Sequence, residues 1–261
     1  MLAAALAALG APAVAGCVAN SGLIIILQNQ QPEMDATTHL CGPVTMAATA
    51  IGAGVLDLEV PSMGQPPGYR AYPLVQSSLP PRADTTAGTD PNTVSIDGVK
   101  VTLHEPPGLT VDWPAGCPGT LFAPGAGALL PGTTIGMTAQ LISPCQAQVI
   151  HDLFASGALP SDFSQQIVFT AEMRVTGRLV SGDDISSDPF RFAIRTCIGC
   201  LQTGFADAAQ FDWPSRPPCN IAPKPNVYHG NPCGLDIAQD FGPLLCCTND
   251  MSQAVCPAPD M

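Results

Sequence analysis

Eleven cysteines are the residues of this chain best suited to chemistry, and their spacing decides which chemistry is open to them. Cys197-Ile198-Gly199-Cys200 has the gap of a redox dithiol. That chemistry places the first cysteine at a helix N-terminus within a βα unit, where its thiolate is favoured. Here the pair ends an alternating strand pattern and leads into Leu201-Gln202-Thr203-Gly204, a loop, so a structural role is expected. Zinc held with Cys233, Cys246 or Cys247 is the competing reading, because thiolates at tetrahedral spacing bind zinc strongly. An oxidising compartment and the adjacency of Cys246 and Cys247 work against it.

The other candidates are scattered. His39, His104, His151 and His229 form neither an HExxH motif nor an i,i+4 pair, so a zinc hydrolase has no scaffold. No G-x-S-x-G elbow or S-x-x-K motif supplies a serine nucleophile. Gly125-Ala126-Gly127 lies in a Pro-rich stretch with no following helix to cradle a phosphate. Asp183, Asp184 and Asp188 crowd one turn, and Asp57 and Glu59 flank a strand, but the carboxylate ladder of a calcium loop is missing. Trp113 and Trp213, each in an Asp-Trp-Pro step, offer a sugar or peptide platform or, as large rings beside proline, packing anchors. Packing is the expected role. The expectation is a chain with no catalytic residue, no metal ligand set and no cofactor.

The N-terminus accounts for the odd cysteine. Residues 1–16 carry no charge, are almost entirely Ala, Leu and Val, and run into Val14-Ala15-Gly16-Cys17. A small residue before a cysteine after an apolar run resembles a lipoprotein signal, in which that cysteine is acylated as the signal is removed. Acyl chains contribute roughly 0.8 kcal/mol per buried CH₂, so Cys17 is expected to tether the mature chain to a membrane. An ordinary secretory signal with Cys17 as a spare thiol is the alternative, and both export the chain. A membrane span is disfavoured because Pro12 interrupts a run shorter than the roughly 20 apolar residues required. Setting Cys17 aside leaves ten cysteines: Cys41, Cys117, Cys145, Cys197, Cys200, Cys219, Cys233, Cys246, Cys247 and Cys256. An even set in an exported chain reads as five disulfides whose connectivity stays open.

Composition says what must position these residues. Charged residues are 11% of the chain, against roughly a quarter in ordinary domains, while Gly (25) and Pro (28) are abundant. Helices stabilised by i,i+4 ion pairs are therefore disfavoured, and short strands joined by turns fit. With 9 Lys and Arg against 21 Asp and Glu, the net charge of −12 repels phosphate backbones, so no nucleic-acid partner is expected.

Leu23 to Leu27 is a continuous apolar run suited to a buried strand. Gly54 to Val60 alternates apolar and acidic residues, as a half-buried strand does. Tyr69 to Leu79 is a further extended stretch that Pro73 restricts to an edge or a bulge. From Val94 to Leu103 the apolar phase flips at Asp97-Gly98, which predicts a β-bulge with Gly98 in a left-handed conformation, or alternatively a tight Asp-Gly hairpin turn. Residues 106–132, rich in Pro and Gly, read as a long loop tied down by Cys117. Ile135, Met137, Ala139 and Leu141 alternate as one strand. Ser143-Pro144 then caps a helix whose stripe is Val149, Ile150, Leu153 and Phe154, with His151 on the opposite face and Gly157 closing it. The clearest strand runs from Ile167 to Ser181 and forms a long hairpin with Phe190, Phe192 and Ile194.

Gly54-Val55-Leu56-Asp57-Leu58, Tyr69-Arg70-Ala71-Tyr72-Pro73-Leu74-Val75-Gln76-Ser77-Ser78-Leu79 and Val175-Thr176-Gly177-Arg178-Leu179 together form a wider pattern. Ser187-Asp188-Pro189-Phe190-Arg191-Phe192 running into Cys197-Ile198-Gly199-Cys200-Leu201, then Cys233 to Cys246-Cys247, continues it. The whole resembles myxobacterial-type secreted lipoproteins with a Cys-rich C-terminal region. The resemblance implies an exported β-rich lipoprotein and transfers no functional residue. It departs from that pattern in the tail, where Gly-Gln-Asp is expected after the later cysteine and Cys233 is instead followed by Gly234-Leu235-Asp236-Ile237-Ala238-Gln239-Asp240.

The expected organisation is a signal at 1–16, a lipidated anchor and spacer at 17–22, and an all-β domain at 23–200. That domain is read as an antiparallel, Ig-like β-sandwich with one short helix, with a disulfide-stapled extension at 201–261 packed on it. The expected role is a non-enzymatic lipoprotein of the bacterial envelope, at the outer membrane. It would be anchored through lipid and serve as a structural module or bind an envelope or extracellular protein. A calcium- or carbohydrate-binding adhesion module and a hydrolase with an unrecognised site are the alternatives.

Overall fold

The computed structural model describes residues 22–34, 41–58, 66, 68–82, 89–160, 167–198 and 240, with the backbone of four further two-residue strands. In chain order the strands are β1 (Ile24–Asn29), β2 (Glu33–Met34), β3 (Cys41–Gly42), β4 (Gly54–Asp57), β5 (Tyr69–Ala71), β6 (Pro73–Ser77), β7 (Val94–His104), β8 (Thr120–Leu129), β9 (Thr134–Gly136) and β10 (Ala139–Ile142). Helix α1 (Pro144–Ala155) precedes β11 (Ile167–Leu179), β12 (Asp184–Ser186) and β13 (Phe190–Cys197). The short pairs β14 (Gln202–Thr203) with β15 (Leu244–Leu245), and β16 (Cys247–Thr248) with β17 (Ala254–Val255), complete the series.

Period-two alternation makes β11 the middle of the fold. Phe169, Ala171, Met173 and Val175 are fully buried on one face, and Thr170, Glu172, Arg174 and Thr176 lie on the other. β13 pairs antiparallel on one side and β7 on the other, giving the order β4-β13-β11-β7-β8, with β12 folded back on the end of β11. Its buried face packs on a second layer made of the β1-β6-β9 sheet, the β10-β5 pair and α1, all of which contribute to one apolar core. The result is an all-β domain with one short helix, a curled open half-barrel sheet and a disulfide bond. Among the described residues no helix is long and apolar enough to cross a membrane.

Local signals account for much of this. Gly98 is at φ +155°, and the register slips beside it on both sides, between Thr176 and Gly177 on β11 and between Ile96 and Gly98 against β8. The phase flip is therefore a bulge within one continuous strand. Ser143 caps α1: its hydroxyl accepts from the Gln146 N–H at 3.2 Å while Gln146 Oε1 accepts from the Ser143 N–H at 2.8 Å. Gly157, at φ +76°, follows the helix end.

Five expectations need correction. The 106–132 stretch is not all loop, because it contains the ten-residue strand β8. Pro124 is accommodated there because β8 is the sheet edge and Pro124 faces Gly98 at the bulge, where a missing N–H breaks no regular ladder. Of the edge or bulge expected at Pro73, the edge is not found: Pro73 opens β6, which β1 and β9 flank on both sides, and the β1–β6 register slips one pair away, between Ile26 and Gln28. The 135–141 alternation belongs to two strands, β9 and β10, in different sheets. Residues 23–27 are not buried throughout, since Ile25 (38% exposed) and Leu27 (44%) face outward from edge strand β1. Finally, the main sheet is not purely antiparallel, because β4 joins β13 in parallel after a long excursion through the second layer.

Candidate functional site

β4 forms one edge of the main sheet, and among the described residues Asp240, from far along the chain, pairs with its open side. The Asp240 N–H donates to the Val55 carbonyl at 3.0 Å, and Asp240 Oδ1 accepts from the Val55 N–H at 2.6 Å. One residue thus takes the place of the next strand, satisfying both outward backbone groups of Val55. Asp240 adopts φ +60°, a left-handed conformation that Asp tolerates better than most residues.

Its second oxygen, Oδ2, accepts from the Tyr69 hydroxyl. The phenol is fully buried on β5 and tilted against Phe192, with ring centroids 5.8 Å apart. The ring lies across Gly54, where a Cβ would meet Tyr69 Cζ at 2.6 Å, so only glycine leaves room for it. Asn29, fully buried, hydrogen-bonds the Tyr69 oxygen and accepts the Tyr72 N–H on Oδ1 at 2.7 Å. The result is a buried polar chain linking β1, β5, β4 and Asp240.

Burial pushes the Asp240 carboxyl up to about 6, against the opposing hydrogen bonds from Tyr69 and the Val55 N–H. Burial also raises Tyr69 well above the usual phenol range, reinforced by the Asp240 charge and hydrogen bond and opposed by the Asn29 hydrogen bond. A carboxyl titrating near neutrality beside a phenol can exchange protons. Both of its oxygens already accept from this chain, however, so the arrangement works as a clamp.

The outer face of the main sheet carries the second polar concentration. Glu172 there receives Arg191 Nε at 3.2 Å and Arg174 at 3.4 Å, with His104 at 3.8 Å. Desolvation opposes ionisation of Glu172, but the Arg191 hydrogen bond and the Arg174 charge hold its carboxyl below the usual value.

Several residues singled out from the sequence are placed. Cys117 and Cys145 form a disulfide, with Cα atoms 6.0 Å apart, tying the segment before β8 to the start of α1. Cys197 is disulfide-bonded at the end of β13. Asp57 is fully buried and has an interaction partner, unlike the solvated half-strand carboxylate expected there. The aspartates of the β11–β12 turn do not converge: Asp184 pairs with Arg178 at 2.8 Å, and Asp183 accepts from the Ser181 hydroxyl at 3.2 Å. Trp113 packs against the core, and its Nε1 donates to Glu105 at 2.8 Å. Among the described residues no three His, Cys, Asp or Glu side chains gather as a metal-binding group. His39, His229, Glu59, Trp213, Cys17, Cys200, Cys219, Cys233, Cys246 and Cys256 lie outside the described residues, and Cys41 and Cys247 are described by backbone alone.

The Asp240 clamp is the feature that residue types did not disclose. Nothing in the spacing of the sequence links Tyr69 to a carboxylate 171 positions away. No family model, no curated protein and no solved structure matches the chain.

Proposed function

We propose that this chain is a non-enzymatic, lipid-anchored protein of a bacterial envelope, at the outer membrane, whose β domain serves as a structural or protein-binding module. The supporting observation is the use made of buried and half-buried polar side chains. Asp240 closes on Val55, Asn29 on Tyr72, Gln146 on the Pro118 carbonyl at 2.8 Å and Ser187 on the Val175 N–H at 3.0 Å. Each fixes one segment to the backbone of another, which makes a rigid platform for display. On this reading the two layers are an Ig-like sandwich. Residues 201–261 form an extension docked on it, and the contact of Asp240 with the β4 edge supports that docking. Cys17 carries the acyl anchor, and the remaining cysteines are cross-linked.

Intact-mass analysis of the protein from native membranes tests the proposal. Acyl mass on Cys17 with no free thiol is expected. An unmodified Cys17 in material recovered outside the membrane overturns the anchor, and several alkylatable thiols without reduction overturn the cross-linking.

A further inference from the structure

We infer that the outer face of the main sheet is a docking surface for a carboxylate-rich, extended protein segment, which names the partner chemistry of the module proposed above and rests on that reading. Five of the chain's nine Lys and Arg residues lie on this one face: Lys100 on β7, Arg174 and Arg178 on β11, and Arg191 and Arg195 on β13. Among the described residues three carboxylates, Asp97, Glu172 and Asp184, stand with them. Among the described residues this gathers a net positive face in a chain of net charge −12.

Folding alone gives no reason for the arrangement. Lys100 sits directly opposite Arg174 in the β7–β11 register, a like-charge cross-strand pair that destabilises a sheet. Arg174 leans toward Glu172, but that carboxylate is shared with Arg191, so one anion serves two guanidinium groups. Lys100 forms no ion pair among the described residues. Phe122, 55% exposed on β8, stands next in the same row, so that Phe122, Lys100 and Arg174 line up across three strands. Three of the four Arg side chains are open to solvent, at 42% exposure for Arg174, 60% for Arg178 and 70% for Arg191, while Arg195 is half-buried.

The chemistry favours a protein ligand. Four of the five cations are arginines, whose planar forks match carboxylates two bonds at a time, and the row they share with Lys100 ends on an exposed aromatic ring, Phe122. A carboxylate seated between Lys100 and Arg174 relieves their mutual repulsion.

The test is fluorescence anisotropy with a labelled peptide of about twenty glutamates, read against an oligolysine control, vesicles of anionic phospholipid and a sulfated glycan; ligand affinity of this electrostatic kind weakens with salt. The expected result is binding of oligoglutamate by the whole mature protein that falls at least tenfold in K100Q/R174Q and is unchanged in R82Q, an exposed arginine in the loop before β7. E172Q, which frees Arg174 and Arg191, is expected to strengthen binding, so the inference stays testable if the double variant folds poorly. Absence of oligoglutamate binding, equal binding by K100Q/R174Q and wild type, or preference for vesicles or glycan overturns it. None of these outcomes alters the mass of Cys17, so failure here is distinguishable from failure of the envelope-lipoprotein reading.

Discussion

Tyr69 and Asp240, 171 residues apart, meet by a hydrogen bond from the phenol hydroxyl to Oδ2 at the edge of β4, and the same carboxyl takes the Val55 N–H on Oδ1. A sheet edge is thus closed by one side chain and one backbone group. Because the carboxyl is buried, its proton is coupled to folding.

The sign of that coupling follows from the raised value. Asp240 titrates at about 6 in the fold against 3.8 when free, so the native state retains a proton that the unfolded chain has lost. Its contribution to stability is fully present below about pH 4 and is lost as pH rises through 6. The loss amounts to about 3 kcal/mol, at roughly 1.4 kcal/mol per pH unit of displacement. Asp240→Asn has no such proton and tolerates positive φ. The difference in unfolding free energy between wild type and variant, from urea melts at pH 4 and pH 7, is therefore expected to change by about 2–3 kcal/mol in favour of the variant at pH 7. A difference that does not vary with pH contradicts a buried, titrating Asp240.

Gly54→Ala tests the same corner from the other side. The added methyl meets the Tyr69 ring at 2.6 Å, and the ring cannot withdraw because Phe192 and Asn29 hold it. Overpacking of this kind costs about 1–3 kcal/mol. Displacement of the hydroxyl also releases Asp240, so hydrogen exchange at the Val55 amide is expected to accelerate along with the fall in midpoint. A lower midpoint with the Val55 amide still protected separates simple crowding from loss of the clamp.

Gly98→Ala probes the bulge. At φ +155° the new Cβ faces the Ala123 carbonyl and lies 2.8 Å from Phe122 Cζ. The expected cost is about 2–3 kcal/mol, combining backbone strain with overpacking. Gly108, also at positive φ (+85°) but with nothing near its Cβ position, is the control; alanine there is expected to cost about 1 kcal/mol, from strain alone. Equal effects at both positions argue against a specific role for the bulge.

What the sequence disclosed, and what it hid, divides by range. The alternation of β11, the phase flip at Gly98 and the cap at Ser143 are set by neighbours a few residues away, and each was legible. So were Arg174, Arg191 and Arg195 as outward-facing positions, because strand phase alone decides that. β8 was hidden because Pro124 and its glycines read as loop, and an edge position in the sheet order is what makes them tolerable. Asp57 looked solvated in a period-two pattern, yet it is buried, because burial at a strand end depends on what later packs over it. The Tyr69–Asp240 contact and the row of Phe122, Lys100 and Arg174 depend on which strands become neighbours, and no local pattern carries that information.

The last prediction concerns the segment before β8, which two devices fasten to the same turn of α1. The Cys117–Cys145 disulfide closes a separation of 28 residues, which on chain-entropy grounds stabilises the fold by about 3–4 kcal/mol. Beside it, Gln146 donates Nε2 to the Pro118 carbonyl at 2.8 Å and completes the cap with Ser143, a contribution of about 1–2 kcal/mol. The paired substitution Cys117→Ala with Cys145→Ala is expected to lower stability by the first amount and Gln146→Ala by the second. Because adjacent residues hold one segment, the two losses are coupled. Once the disulfide is gone the segment can lift away, and Gln146 must order it as well as bond it. Removing Gln146 from the cross-link-free protein is therefore expected to cost less than removing it from the intact one. A cycle of urea melts on the four proteins measures this directly, and strict additivity would mean that the cap acts within the helix alone and that the Pro118 contact adds nothing.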